Sequence, residues 1–168
     1  MALRPCRTAG RTPAGEPGTA AAEAVTKAAP RFLQGYSRRT LGAMRLKMCS
    51  IHVKDPASAH EFYTGILGFE TLMAMPEHNL FIVKDPDGAG GAGLLLEPSD
   101  NPIGAAYMNG LHDAGIPAIV FGVPDVRAEY ARLAAKGVMF QAEPSEGPGG
   151  TTAVLDDGCG NYVQLHQD

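Results

Sequence analysis

The stretch Tyr162-Val163-Gln164-Leu165-His166 alternates polar and apolar residues. In a strand, side chains two apart share a face, so Tyr162, Gln164 and His166 stand together and Val163 and Leu165 oppose them. A phenol, an amide and an imidazole in one stripe suit two roles: rim of a catalytic metal site, or wall of a cavity that holds no metal. Just upstream, Cys159 lies between Gly158 and Gly160, in a turn that can expose a thiol. No histidine base is evident beside it, so nucleophilic use is not expected. The run Gly-Ala-Gly-Gly-Ala-Gly over 88–93 has the composition of a phosphate cradle. It precedes a strand rather than a helix, so no helix N-terminus is there to hold an anion, and a hairpin loop is expected. No G-x-S-x-G elbow, P-loop or dinucleotide fingerprint follows a strand in the right context. His60, His78 and His112 fall on a helix, a turn and a linker, where surface positions are expected. Glu61 and Glu129 read as solvated helix residues, and Asp55 and Asp125 as helix caps rather than acids.

Composition sets outer bounds. At 168 residues, with 45% hydrophobic and 19% charged side chains, one globular domain with a sizeable core is expected. No apolar run approaches the roughly 20 residues needed to cross a bilayer. Three cysteines, Cys6, Cys49 and Cys159, are far apart and odd in number, which argues against a disulfide framework and fits a reducing, cytoplasmic setting. Residues 1–43 carry seven Lys/Arg against two Glu, a surplus of +5, which leaves −9 on the rest of a chain of net charge −4. An acidic body with no basic-aromatic patch excludes nucleic acid as a partner. The Ala/Gly/Pro/Arg-rich leader lacks a secretory apolar region. It reads as a disordered extension, translated upstream of a start at Met44 or serving as a transit peptide, and outside the fold either way.

From Met44 the chain says one thing twice. "IHVKDPASAHEFYTGILGFE" from Ile51 and "VFGVPDVRAEYARLAAKGVMF" from Val120 align on Asp55 and Asp125. Each is an apolar strand, an Asp, an amphipathic run, a Gly and another strand. Ala59, Phe62, Tyr63, Ile66 and Leu67 make one helical face; Val126, Tyr130, Leu133 and Ala134 make the other. Asp55 and Asp125 cap these helices, Pro56 suits the first turn, and Gly68 and Gly137 stop them one residue out of step. Strands are predicted at 46–53, 70–75, 79–84 and 93–97, then 117–123, 138–142, 151–155 and 162–166. A short helix within 100–115, with Ile103, Tyr107 and Leu111 four apart, links the halves. The class is α+β. Each half is a βαβββ module (44–98 and 116–168), and two such units can curve around a shared cavity and cover each other.

The segments "VKDPASAHEFYTGILGFE", "VPDVRAEYARLAAKGVMF" and "DDGCGNYVQLHQ" together resemble the vicinal-oxygen-chelate superfamily of glyoxalase I, bleomycin-resistance proteins and extradiol dioxygenases. The resemblance covers about residues 44–168. It implies paired modules forming a cupped mixed sheet around a small-molecule cavity, in a homodimer. It also implies four metal-ligand stations, in the first and last strand of each module, which here read Met48, Leu95, Ala118 and Gln164. Leu and Ala donate nothing, a Met thioether is soft, and one amide oxygen does not replace a set of three ligands. No metal is therefore expected at the usual place. Strand parity sets His52 with Met48, Glu97 with Leu95 and His166 with Gln164, so a displaced 2-His-1-carboxylate set (His52, Glu97, His166) is the alternative, with rim positions as the simpler reading.

Three functions follow. One is a metal-free binder of a small organic molecule, with Met48, Ser50, Leu95, Ala118, Val120 and Gln164 lining its site and no cofactor. The second is a glyoxalase-like lyase or isomerase, or a dioxygenase, using one divalent ion such as Zn, Ni, Mn or Fe at the displaced set. The third is a degenerate module kept for assembly.

Overall fold

The computed structural model describes residues 46–86 and 91–167. The leader 1–43 lies outside them, as do three residues of the glycine run, 88–90. The first half comprises β1 (Met48–Val53), α1 (Pro56–Phe62), β2 (Glu70–Met75), β3 (Leu80–Lys84) and β4 (Gly93–Pro98). After α2 (Pro102–Asp113), the second half comprises β5 (Pro117–Gly122), α3 (Val126–Ala135), β6 (Ser145–Gly147), β7 (Gly150–Asp156) and β8 (Tyr162–Gln167). Both halves show the same topology, β1-β4-β3-β2 and β5-β8-β7-β6. In each, the first and last strands pair in parallel and the other described pairs are antiparallel. These are two four-stranded sheets, not one continuous sheet.

Local chemistry accounts for the helices. The Asp55 carboxylate accepts the Ser58 N–H at 2.6 Å, and Asp125 accepts that of Ala128 at 3.0 Å, each satisfying a free donor of the first turn. The stops are Gly68 and Gly137, at φ 91° and 87°, a region that only glycine enters freely. Their one-residue mismatch has a structural cause. After Phe62 the first helix continues as a π turn, Tyr63–Leu67, which takes up the extra residue. In α2, Asn101 accepts the Gly104 N–H at 2.7 Å. Its apolar row of Ile103 and Tyr107 faces outward, however, at 83% and 57% exposure, while Gly104 and Met108 are buried. Apolar spacing marks a helix face but does not say that anything covers it.

The strand predicted at 138–142 is reduced to a single bridge, Phe140 opposite Leu155. Pairing with β7 resumes only at Ser145 opposite Thr152. One chain advances five residues while its partner retreats three, so two residues bulge out. Pro144, which has no N–H for a ladder, sits in that bulge.

The core explains how the halves meet. Ile51, Val53, Phe81, Val83, Leu94 and Leu96 cover one side of the first sheet with Ala59 and Tyr63. Ala153, Leu155, Val163 and Leu165 do the same in the second with Val126 and Leu133. Phe62, Leu67, Ile119 and Phe121 pack against both groups. The helix sides of the two sheets thus merge into one core, with each fully buried aliphatic or aromatic side chain contributing about 1.5–3 kcal/mol. Within one chain the open sheet faces of the two halves therefore do not wrap a common pocket. Their opposite faces turn away from the shared core. Among the described residues, no helix is long and apolar enough to cross a membrane.

Candidate functional site

Strand register builds the open face of the first sheet. Ser50 lies beside Leu95, Leu95 beside Ile82, and Ile82 beside Met73. Met48 lies beside Gly93, and His52 beside Glu97. Leu72 occupies a bulge in β2 and reaches the same face, where its side chain and that of Ile82 crowd Gly93. Met48, Leu72 and Met73 are 47%, 50% and 45% exposed. An apolar surface rich in thioethers is thus left open, with Ser50 on its edge strand β1 and the His52–Glu97 pair at one end.

The second open face is polar. Gln164 lies between Val120 and Val154, His166 between Gly122 and Thr152, and Tyr162 beside Asp156. The predicted stripe of Tyr162, Gln164 and His166 is therefore present. Ala118 does not join it. It occupies a bulge in β5 and packs against the first core instead. His112, expected to be a plain surface residue, stacks flat on Tyr162 at 4.6 Å with Asp156 and Asp113 about its ring. On the first face the His52 ring packs beneath α2, with Gly104 against it, Tyr107 edge-on at 6.3 Å and its buried Nδ1 without a hydrogen-bond partner among the described residues. The linker helix α2 therefore borders both faces.

The turn Asp156–Asn161 does something that its sequence did not reveal. Asp157 is buried and accepts four hydrogen bonds: from the N–H groups of Cys159 and Asn161, the Asn161 amide and the Tyr63 hydroxyl. The Asn161 amide also donates to the His52 carbonyl, and the Lys54 N–H to that of Cys159. This turn clasps the second half onto β1 and the first helix. Burial, then the nearby Asp157 charge, holds the Tyr63 phenol well above its ordinary range. The same causes push the Cys159 thiol up to about 12. Cys159, in a turn that could have exposed its thiol, is buried, and its raised pKa disfavours the reactive thiolate.

A family model for the glyoxalase/bleomycin resistance protein/dioxygenase superfamily matches residues 45–165. The chain belongs to this superfamily. YurT of Bacillus subtilis (strain 168), an uncharacterized protein, is 40% identical over 126 residues, covering 74% of this chain and 99% of YurT. The crystal structure of UcmS2 superimposes with a TM-score of 0.63 at 32% identity, covering 74% of this chain and 98% of that one. That of TnmS3, an antibiotic binding protein from Streptomyces sp. CB03234, does so at 0.60 and 26% identity, covering 76% and 98%.

The superfamily's four stations do not fit a metal here. Met48 and Leu95 stand on one open face, Gln164 on the other, and Ala118 is in the bulge. A single amide oxygen is the one hard donor among them. The displaced set fares no better within one chain. His52 and Glu97 are neighbours, but His166 belongs to the other sheet, and no three His, Cys, Asp or Glu side chains gather among the described residues.

Two hollows lie where the halves of this superfamily member meet. A cavity of about 340 Å³ runs from the end of the first helix (Leu67, Gly68, Phe69) to the edge of β5 (Val120–Val123), with Asp85 and Glu129 in its wall. Its counterpart under the repeat, also about 340 Å³ and more open, lies at the end of α3 between Phe62, Ile66, Lys136 and Asp156. Of the six residues expected to line a ligand site, Val120 alone borders the first, and none borders the second.

Proposed function

We propose that this protein binds a small organic molecule on its open sheet faces, without metal at the superfamily's usual site. The observation that carries the reading is the half-exposed apolar surface of Met48, Leu72 and Met73, continued by Ile82 and Leu95. A monomer gains nothing by leaving such a patch in water, so it marks a contact surface. Flexible, polarizable thioethers adapt to apolar shapes. The second face supplies what the first lacks: Gln164, Tyr162 and His166 as hydrogen-bonding groups. The complete site is the apolar face of one copy set against the polar face of another, in a homodimer. Its ligand is amphipathic, with an apolar body and a polar edge. That TnmS3 is an antibiotic binding protein supports a small organic molecule as the ligand. A cytoplasmic setting belongs to the same reading and is supported by the unpaired thiols of Cys49 and Cys159.

Light scattering and a thermal-shift screen of hydrophobic antibiotics test it. A dimer is expected, with at least one compound whose stabilisation survives EDTA and is lost on Met73→Ser and on Gln164→Ala. Stabilisation that EDTA abolishes, or that ignores both substitutions, refutes it.

A further inference from the structure

We propose that His52 sets the specificity of the first open face: its Nε2 donates a hydrogen bond to a neutral carbonyl on an otherwise apolar ligand, while Glu97 beside it turns carboxylates away. This rests on the open-face reading and names the chemistry that one end of that face selects. Three polar side chains stand at that end: His52 on β1, Glu97 opposite it on β4, and Tyr107 on α2, edge-on to the His52 ring at 6.3 Å. Among the described residues none of the three makes a side-chain hydrogen bond or an ion pair, so all are left to a guest. The two ring nitrogens of His52 differ. Nδ1 is buried under α2, where a Cβ on Gly104 would come within 2.9 Å of it, whereas Nε2 keeps access to solvent. A buried N–H with no acceptor is rarer in native structures than a bare acceptor, so the neutral ring carries its proton on Nε2. Held this way, the imidazole offers the open face a donor and no acceptor. The matching ligand group is an acceptor oxygen. An anionic one would meet the like charge of Glu97 on the neighbouring strand, which leaves a ketone or amide carbonyl. Met48, Leu72 and Met73, half-exposed on the same face, take the apolar body.

The test uses the full chain and three probes of one shape: acetophenone, its alkene isostere α-methylstyrene, and benzoate, each followed by amide shifts in two-dimensional NMR. The ketone is expected to give saturable shifts at Ser50–Val53 and Glu97. It should bind about threefold to tenfold tighter than the alkene, the factor that one neutral hydrogen bond contributes. Benzoate is expected to bind more weakly than the ketone and to recover in Glu97→Gln. Long-range proton–nitrogen correlation on the free protein is expected to place the His52 proton on Nε2. His52→Leu should erase the preference for ketone over alkene, and His52→Gln, whose amide restores a donor, should keep part of it. The comparison of probes and the proton assignment use the unaltered protein, so they do not depend on how any variant folds. No saturable ketone binding, equal binding of ketone and alkene, benzoate binding as tightly as the ketone, a proton on Nδ1, or a preference that survives His52→Leu overturns the proposal. The open-face reading is decided separately, by the antibiotic screen through Met73 and Gln164.

Discussion

Tyr63→Phe removes one oxygen from the clasp that joins the two halves. The ring keeps its edge contacts with Phe62 and Phe121, so the change isolates the hydrogen bond to Asp157. A hydrogen bond to a charged group contributes about 1.5–3 kcal/mol. At 3.2 Å this one is long, and the Asn161 amide still serves the same carboxylate oxygen, so the lower end, about 1.5 kcal/mol, is expected. For a domain of this size that lowers Tm by roughly 5 °C. Asp157→Asn turns an acceptor pair facing four donors into a mixed group, and is expected to cost about 2–4 kcal/mol. Urea unfolding followed by circular dichroism, at one protein concentration, measures both. Because the residues touch, the double variant should recover about 1 kcal/mol relative to the sum of the singles. A Tyr63→Phe protein within about 0.5 kcal/mol of the parent, additive with Asp157→Asn, refutes the clasp.

The raised Tyr63 and Cys159 pKa values mean that the unfolded chain loses these protons first as pH rises. Stability is then fully present below pH 9 and falls as pH climbs towards 12, with Tyr63→Phe flattening the upper part of that fall; alkaline urea titrations check this. Gly104→Ala would place a methyl 2.8 Å from the His52 ring and is expected to cost about 1–3 kcal/mol, most of it returned by His52→Ala in the same chain. Met48→Ser and Met73→Ser alter half-exposed residues and are expected to stay within about 0.5 kcal/mol of the parent in unfolding while weakening ligand binding.

Some features were legible because their chemistry is local. Asp55, Pro56 and Gly68 announce a helix by satisfying its ends, and the structure puts them there. The unequal spacing to Gly68 and Gly137 was also legible as a number, though not as the π turn that produces it. Where tertiary packing decides, the reading failed. Ile103 and Tyr107 have helical spacing, yet Gly104 and Met108 face inward because His52 and the final turn need a close neighbour there. Ala118 left its expected face through a one-residue bulge that alternation alone does not show. Cys159 looked exposed between two glycines, but the partners that bury its turn come from about a hundred residues earlier in the chain. Apart from Ala118, the sheet faces were read with the correct parity. Their separation was not, since nothing in a strand's alternation says which side another module will cover.

The shared helix-side core divides labour in a way that bears on how such a protein changes. Side chains that keep the chain folded point one way, and those left on the open sheet faces point the other. Under the proposed function, ligand specificity can therefore drift, residue by residue, with little toll on thermal robustness. Selection for new cargo would leave its mark on alternate positions of β1, β4, β5 and β8, while the intervening positions stay nearly silent.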